Sequence, residues 1–255
     1  MTRDTKGDGL VQQQSRVEVV FRAPSLKRLR ALLKDTKTLS VLRALEYERL
    51  SRLELRGHVL DFGGGEVSNY SHLVSSWGSR DGFVYESVNI DPATKPTYLI
   101  KPGEPLPCDN ERFDAAISLN TLEHVYDVAG ALHEIHRVLR PGATFTFIVP
   151  FVFRVHGHPD DYTRGTPSYW TRRLRDSGYE PKSIEALTWG PFSTGAVISG
   201  LPGPLKRLRL CMALGLDLLH AAARRGTRGG AALALSQDDP LCSTAMGYLV
   251  EAGRI

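Results

Sequence analysis

The chain has 255 residues, 42% of them hydrophobic and 24% charged, with a formal net charge of +4. That composition suits one α/β domain with extensions, or two small domains, and excludes a disordered or fibrous chain. The three cysteines, Cys108, Cys211 and Cys242, have no paired spacing, which excludes a disulfide framework and a cysteine-based zinc site.

Most of the positive excess sits in residues 27–37 and 206–228. Neither run is interleaved with the aromatics that a single-strand nucleic-acid surface uses for stacking, so nucleic acid is not an expected partner. Residues 1–14 are polar and read as no secretory signal. The apolar run 210–216 is far shorter than the ~20 residues that span a bilayer. A reducing cytoplasm is the expected location.

Residues 1–23 read as a flexible N-terminal arm, in which 17–21 could add a strand. Over residues 24–56, Leu26, Leu29, Leu32, Leu33, Leu39, Leu42, Leu45 and Leu50 recur at three- and four-residue steps, predicting two helices. A short strand at 58–62 then runs into Gly63-Gly64-Gly65 and a helix over 68–77. Such a turn opens a nucleotide-sized pocket at a strand's carboxyl end, with glycine allowing positive φ and a close backbone approach. By itself it is a weak signal that dinucleotides, phosphates and S-adenosylmethionine all share.

A second strand over 83–90 ends at Asp91-Pro92. There a carboxylate can accept hydrogen bonds from both hydroxyls of a ribose, or simply start a turn before proline. A third strand covers 97–100 and a fourth 113–119. Asn120-Thr121-Leu122-Glu123-His124 follows, then a helix whose stripe is Val128, Ala131, Leu132, Ile135, Val138 and Leu139, capped by Asp127 and ended by Pro141-Gly142. The fifth strand is 143–150, and the polar loop 151–166 leads into a helix at 167–177 with Thr166 and Pro167 at its start. Strands at 181–189 and 245–252 close the sheet, the last antiparallel beside the sixth.

The expected fold is α/β: a Rossmann-like, doubly wound, seven-stranded sheet, mostly parallel with an antiparallel last strand. Its core spans 57–189, with an inserted lid or cap at 190–243 and the final strand in 244–255.

The ordered set VLDFGGG at 59–65, VNIDP at 88–92, EPLPCDNERFDAAISLNTLEHVYD at 104–127 and ALHEIHRVLRPGATFTFIVPF at 131–151 resembles the class I S-adenosylmethionine-dependent methyltransferases of the methyltransferase type 11 kind. It covers about half the chain. The loop His156-Gly157-His158-Pro159-Asp160-Asp161-Tyr162-Thr163-Arg164-Gly165-Thr166 is similar to a subgroup with an HxxPxDYxRxT loop after the fifth strand, often found among sugar, polysaccharide and natural-product enzymes. The resemblance implies S-adenosyl-L-methionine as cofactor. Asp61, Gly63, Gly64 and Gly65 would form the loop at its methionine part, and Asp91 would take the ribose hydroxyls. Ile90 and Pro92 would flank the adenine with Leu106 near its edge, and Asn120 and Leu122 would face the sulfonium. The chain departs from the family at Val67, where a third glycine is usual, and in lacking the acid before Leu106-Pro107.

Methyl transfer to a hydroxyl gains from a base that takes the proton, and histidine suits this near neutral pH. His124, His156 and His158 follow the fourth and fifth strands and could meet over the pocket. His156 and His124 are the candidate bases, Asp160 or Asp161 the orienting partners, and Tyr162 and Arg164 complete the loop. Read structurally, His124 caps the next helix and the loop is a hydrogen-bonded turn. No metal is assigned, although Glu123-His124 resembles a metal-using quinone methyltransferase pattern, with Asn120 where that pattern has a carboxylate. His133 and His136 share a helix face without metal spacing.

The helix at 204–223 carries Leu205, Leu208, Met212, Leu216 and Leu219 on one face and Lys206, Arg207 and Arg209 near the other. It is expected to pack inward as a lid, the other reading being peripheral contact with an anionic membrane. The expected activity is methylation of a small-molecule acceptor, a hydroxyl of a sugar, glycan or natural product. The alternatives are a non-catalytic cofactor-binding or scaffold subunit, and methylation of protein or nucleic acid. Asn120-Thr121-Leu122-Glu123 lacks the signature of base-amine methylation.

Overall fold

The computed structural model describes residues 18–77, 82–157, 159–225, 232–236 and 239–255. Parallel strands buried on both faces form its frame. β2 (His58–Phe62) lies between β3 (Val84–Asn89) and β5 (Phe113–Leu119), parallel to both. β4 (Tyr98–Leu99) extends the sheet past β3, and β6 (Leu139–Pro150) extends it past β5. β9 (Gly247–Arg254) runs antiparallel between β6 and β7 (Tyr179–Leu187). These are the seven expected strands, including the antiparallel last one.

Two more strands bring the sheet to nine, in the order β4-β3-β2-β5-β6-β9-β7-β1-β8. β1 (Val19–Arg22) pairs in parallel with β7, and β8 (Ala232–Leu235) pairs antiparallel with β1. Residues 19–22 are therefore part of the sheet and not of a flexible arm; the rest of that expectation, residues 1–17, lies outside the described residues. The physical reason is burial plus charge. Val19 and Phe21 alternate into the interior, and Glu185 of β7 accepts from Arg22 at 2.9 Å on one oxygen and from Arg49 at 2.8 Å on the other.

Side chains alternate between the two faces of the sheet with the period of a strand. Leu60, Ala116, Phe145 and Phe147 pack under α4 (Val128–Val138) and α5 (Pro167–Asp176) through Leu132, Ile135, Trp170 and Leu174. Val59, Ile117, Ile148 and Leu249 pack on the other face. There they meet α1 (Leu26–Asp35), α2 (Val41–Leu50), α3 (Ser71–Trp77) and α7 (Lys206–Arg225) through Leu32, Leu42, Leu45, Trp77 and Leu214. Ser25, Ser40, Asp127 and Thr166 each cap a helix by accepting from the backbone N–H three residues on.

Some boundaries move. α3 starts three residues later than the pattern predicts, and β6 starts at Leu139 instead of 143. Pro141-Gly142 is a bulge in that strand, with Gly142 at φ +80°, because the pairing jumps from Phe113 opposite Leu139 to Ala115 opposite Thr144. The 190–243 segment holds α6 (Pro191–Ile198), α7, β8 and α8 (Pro240–Ser243), where one helix was expected; residues 226–231 and 237–238 lie outside the described residues.

The lid packing expected for α7 is also overturned. Its Leu205, Leu208, Met212, Leu216 and Leu219 stripe faces out, while Leu214 and Ala213 are the buried side. Asp217 decides the rotation: its two carboxylate oxygens accept from Phe192 and Ser193 N–H at 2.9 and 2.8 Å, capping the start of α6. The Trp189 indole also donates to the Leu214 carbonyl at 3.0 Å.

Candidate active site

The glycine turn sits where β2 delivers it, at the carboxyl edge of the sheet beside β3 and β5. Gly63 has φ +99°, so only glycine holds this backbone without strain, and a Cβ there would strike Thr121. A Cβ on Gly64 would strike the Asp61 carboxylate, and one on Gly65 the Thr94 carbonyl. Gly63 N–H donates to the Val88 carbonyl at 2.8 Å, and the Asn89 amide donates to the Gly63 and Gly64 carbonyls at 2.7 and 3.1 Å. Val67 N–H donates to Thr94 at 3.1 Å while its side chain is 59% exposed, and its φ is not positive. The position of the usual third glycine thus makes no demand for glycine here.

Asp61 is fully buried beneath this turn. Its Oδ2 accepts from the Tyr70 and Tyr85 hydroxyls at 2.8 and 2.5 Å, and its Oδ1 has no partner. Burial pushes its pKa up to about 6, against the two tyrosine hydrogen bonds that favour the carboxylate.

Asp91 Oδ1 accepts from Ala93 N–H at 2.9 Å, starting the 3-10 turn Pro92–Thr94, which is the turn role anticipated for an acid before proline. One oxygen remains for a ligand hydroxyl. Beside it Ile90 is 41% exposed and Pro92 is exposed, an apolar surface next to an acid. Leu106 and Leu122, expected against the cofactor, are instead packed into the main core. Leu106 is held there by its N–H to Glu134 and its carbonyl to Arg137.

An orphaned buried carboxylate oxygen, a positive-φ glycine turn and an acid beside exposed Ile90 fit a cationic ligand that carries a ribose and an adenine. Asp61, Gly63–Gly65, Ile90, Asp91 and Pro92 are the residues that would hold it.

The histidines do come together. The His124 and His156 rings lie 5.1 Å apart, edge to face. His124 Nδ1 lies 2.5 Å from the Asp160 carbonyl, which can only accept, so Nδ1 carries the proton and Nε2 the lone pair. His156 Nδ1 faces the Arg154 carbonyl at 3.2 Å and Asp161 Oδ2 at 3.4 Å. Of the two candidate partners, Asp161 is the one whose carboxylate lies against the His156 ring. Asp160 acts through its backbone, because its carboxylate takes the Tyr162 hydroxyl at 3.0 Å. Arg164 chelates the Asp161 carboxylate through both terminal nitrogens, and His156 N–H donates to Asp161 at 3.0 Å. Burial raises the Asp161 pKa, but the Arg164 hydrogen bonds and the His156 N–H outweigh it and hold the carboxyl below its usual range. His158 lies outside the described residues. Tyr162 is half exposed with its ring 5.4 Å from that of Tyr126.

Two buried carboxyls at the site have no role in the sequence reading of the cofactor or the base. Glu123 has no exposed surface and no hydrogen bond to either oxygen, and burial pushes its pKa up to about 8. Its Oε1 is 3.7 Å from His124 Nε2. Glu123, His124 and His156 offer ligand atoms all within 4.8 Å of one another, a donor set that could hold a divalent cation, although none was assigned from sequence. Glu46 of α2 is 1% exposed, and burial raises its pKa against the opposing pull of Arg43 and the Asn120 amide. The available signal was Glu46 at the i+4 position from Leu42 in an otherwise apolar helix face.

Asn120 itself holds φ +52° at the end of β5. With Ser40, Leu42, Arg43, Glu46, Pro150, Phe153 and His156 it lines a cavity of about 60 Å³, placing His156 at a mouth that α2 helps to close.

Residues 60–147 match the family model described as a methyltransferase domain. The sarcosine/dimethylglycine N-methyltransferase of Halorhodospira halochloris is 27% identical over 175 residues, which are 55% of this chain and 59% of that protein. An uncharacterized protein of Mycobacterium tuberculosis is 28% identical over 147 residues, 50% of this chain and 46% of that one. Among solved structures, a chain from the complex between the Haloferax volcanii Trm112 methyltransferase activator and a methyltransferase shares the fold. Its TM-score is 0.54 at 17% identity, covering 89% of this chain and 94% of that one.

The protein is of the α/β class built on a doubly wound sheet with a glycine turn after its first core strand. Its residues 60–147 are similar to the methyltransferase domain family, and it shares its fold with S-adenosylmethionine-dependent methyltransferases. The chain spans about half the length of the curated relatives it matches.

Proposed function

We propose that the chain transfers a methyl group from S-adenosylmethionine to a small-molecule acceptor, a hydroxyl of a sugar, glycan or natural product. The observation that carries the proposal is the pairing of His124 and His156 beside the Asn120 cavity, with His124 Nδ1 on the Asp160 carbonyl and His156 Nδ1 beside the Arg154 carbonyl and Asp161.

When bound, the cofactor supplies a methyl carbon activated by a positively charged sulfur. The chain's own residues hold and align. Asp61 and the Gly63 turn anchor one end of the site, Asp91 offers an oxygen to ribose hydroxyls, and α2 with Phe153 restricts access of water to the acceptor side. His156, which lines the cavity, accepts the acceptor's hydroxyl proton at Nε2, and Asp161 stabilises the imidazolium through Nδ1. Arg164 fixes Asp161 in turn. Such a base contributes roughly 10²–10⁴-fold, and alignment supplies the rest. His124, tied to the Asp160 carbonyl, positions the loop and is the second candidate base.

Val67 offers no support for the scaffold alternative, because its side chain is exposed and its backbone makes no demand for glycine. The test is turnover of labelled S-adenosylmethionine across a panel of hydroxylated glycans and aglycones. His156→Ala should lose most of the turnover with cofactor affinity intact. Near-normal turnover in both His156→Ala and His124→Ala would show that alignment alone carries the chemistry.

A further inference from the structure

We propose that the outer face of α7, with the adjoining α1, is a docking surface for the anionic headgroup layer of a membrane. The inference does not depend on the methyl-transfer reading. Leu205, Leu208, Met212, Leu216 and Leu219 are 69, 54, 60, 47 and 68% exposed. At 1.5 Å per residue the helical part of this stripe, from Leu208 to Leu219, is about 17 Å long. Isolated exposed leucines need no explanation, but a continuous stripe on one helix marks an interaction site.

The exposure is built into the fold. Turning α7 to bury the stripe would pull Asp217 from the start of α6 and break the Trp189 bond to Leu214.

Charge selects the occupant. Lys206, Arg207 and Arg209 crowd the first turn of α7, which has no acid, although a helix start already carries a positive partial charge. The helix's one acid, Asp217, is 1% exposed and already bonded. α1 packs beside α7 and exposes Lys27, Arg30 and Lys34, with Lys37 just beyond it; Asp35 is the only exposed acid in that helix. The two basic runs, far apart in sequence, thus meet in one helical layer. Cations at the first turn of α7 and on the neighbouring α1, beside an apolar stripe, suit an anionic bilayer, into which the leucines sink while the long basic side chains reach the phosphates. A second copy would bring the same cations face to face with too few acids to pair them. No helix among the described residues is long and apolar enough to cross a membrane, so α7 would lie on the surface. α1 continues through residues 36–40 into α2, whose residues line the cavity, so the docked layer also flanks the proposed acceptor mouth.

Co-sedimentation of the full chain with vesicles tests this directly. The chain should bind phosphatidylcholine vesicles containing about 30% phosphatidylserine roughly tenfold more tightly than phosphatidylcholine alone, and lose most of that gain in high salt. Leu208→Glu with Leu219→Glu should abolish binding with an unchanged melting temperature, since both side chains are exposed. Lys206→Glu with Arg207→Glu should remove the preference for anionic lipid. Met212→Trp should show a blue-shifted emission on anionic vesicles. Failure of the wild-type chain to bind anionic vesicles overturns the proposal, as does equal binding by the double glutamate variant. A concentration-dependent dimer that Leu208→Glu with Leu219→Glu dissociates would assign the face to a second copy and equally overturn it.

Discussion

Asp61→Asn gives a prediction whose size can be worked from the structure. The carboxyl is fully buried, and its pKa rises from 3.8 to about 6 because burial outweighs the two tyrosine hydrogen bonds. A raised native pKa means the folded state holds the proton more tightly than the unfolded chain. The stability this confers is present below about pH 4, is lost as the pH climbs towards 6, and is flat above that. About two pKa units at 1.36 kcal/mol each give roughly 3 kcal/mol across that window. Asparagine has nearly the same shape and does not titrate. The stability of Asp61→Asn relative to wild type should therefore rise by roughly 3 kcal/mol between pH 4 and pH 7, measured by urea unfolding at constant slope. A mismatch with the Tyr70 or Tyr85 hydroxyl would shift the whole difference curve without tilting it. A flat difference across the window would refute the account of Asp61 as a strained buried acid.

Three further outcomes follow from the site geometry. Gly63→Ala places a Cβ on Thr121 at φ +99° and should cost about 1–3 kcal/mol, read as a lower melting temperature, and lose cofactor binding. Val67→Gly should leave cofactor affinity within about threefold in calorimetry, because the valine side chain points to solvent and surface changes are small. His156→Ala should lower kcat by roughly 10²–10⁴-fold with KM for the cofactor unchanged, measured by labelled methyl transfer.

The elements that were legible in the sequence are those whose signal is local. β2 with its glycine turn, Asp91 at the tip of β3, and α4 with its Asp127 cap each declare themselves within about a dozen residues by period, cap and turn chemistry, whereas Pro141-Gly142, read as the helix stop, lies inside β6. β1 and β8 are four-residue strands at the end of the sheet, with little local pattern: β1 exists through pairing with β7 and the Arg22–Glu185 contact, and β8 through pairing with β1.

α7 misleads because it has two apolar faces. The face with five large residues looked like the inner one. The true inner face includes Asp217, which reads as polar until its contact with α6, 24 residues earlier, is known.

The site divides in the same way. The meeting of His124 and His156 was anticipated because both follow carboxyl ends of neighbouring strands, β5 and β6. Glu123 and Glu46 were not assigned because a carboxyl's burial depends on tertiary packing from α2 and the 156–164 loop, which no local pattern encodes.

Calorimetric titration of the full chain with S-adenosylmethionine tests the central claim most directly. Saturable binding at one site per chain is predicted, lost in Asp91→Ala and in Gly63→Val. An absence of saturable heat in the folded wild-type chain, or binding undiminished in both variants, would contradict the assignment of the β2 turn and the Asp91 tip as the cofactor site.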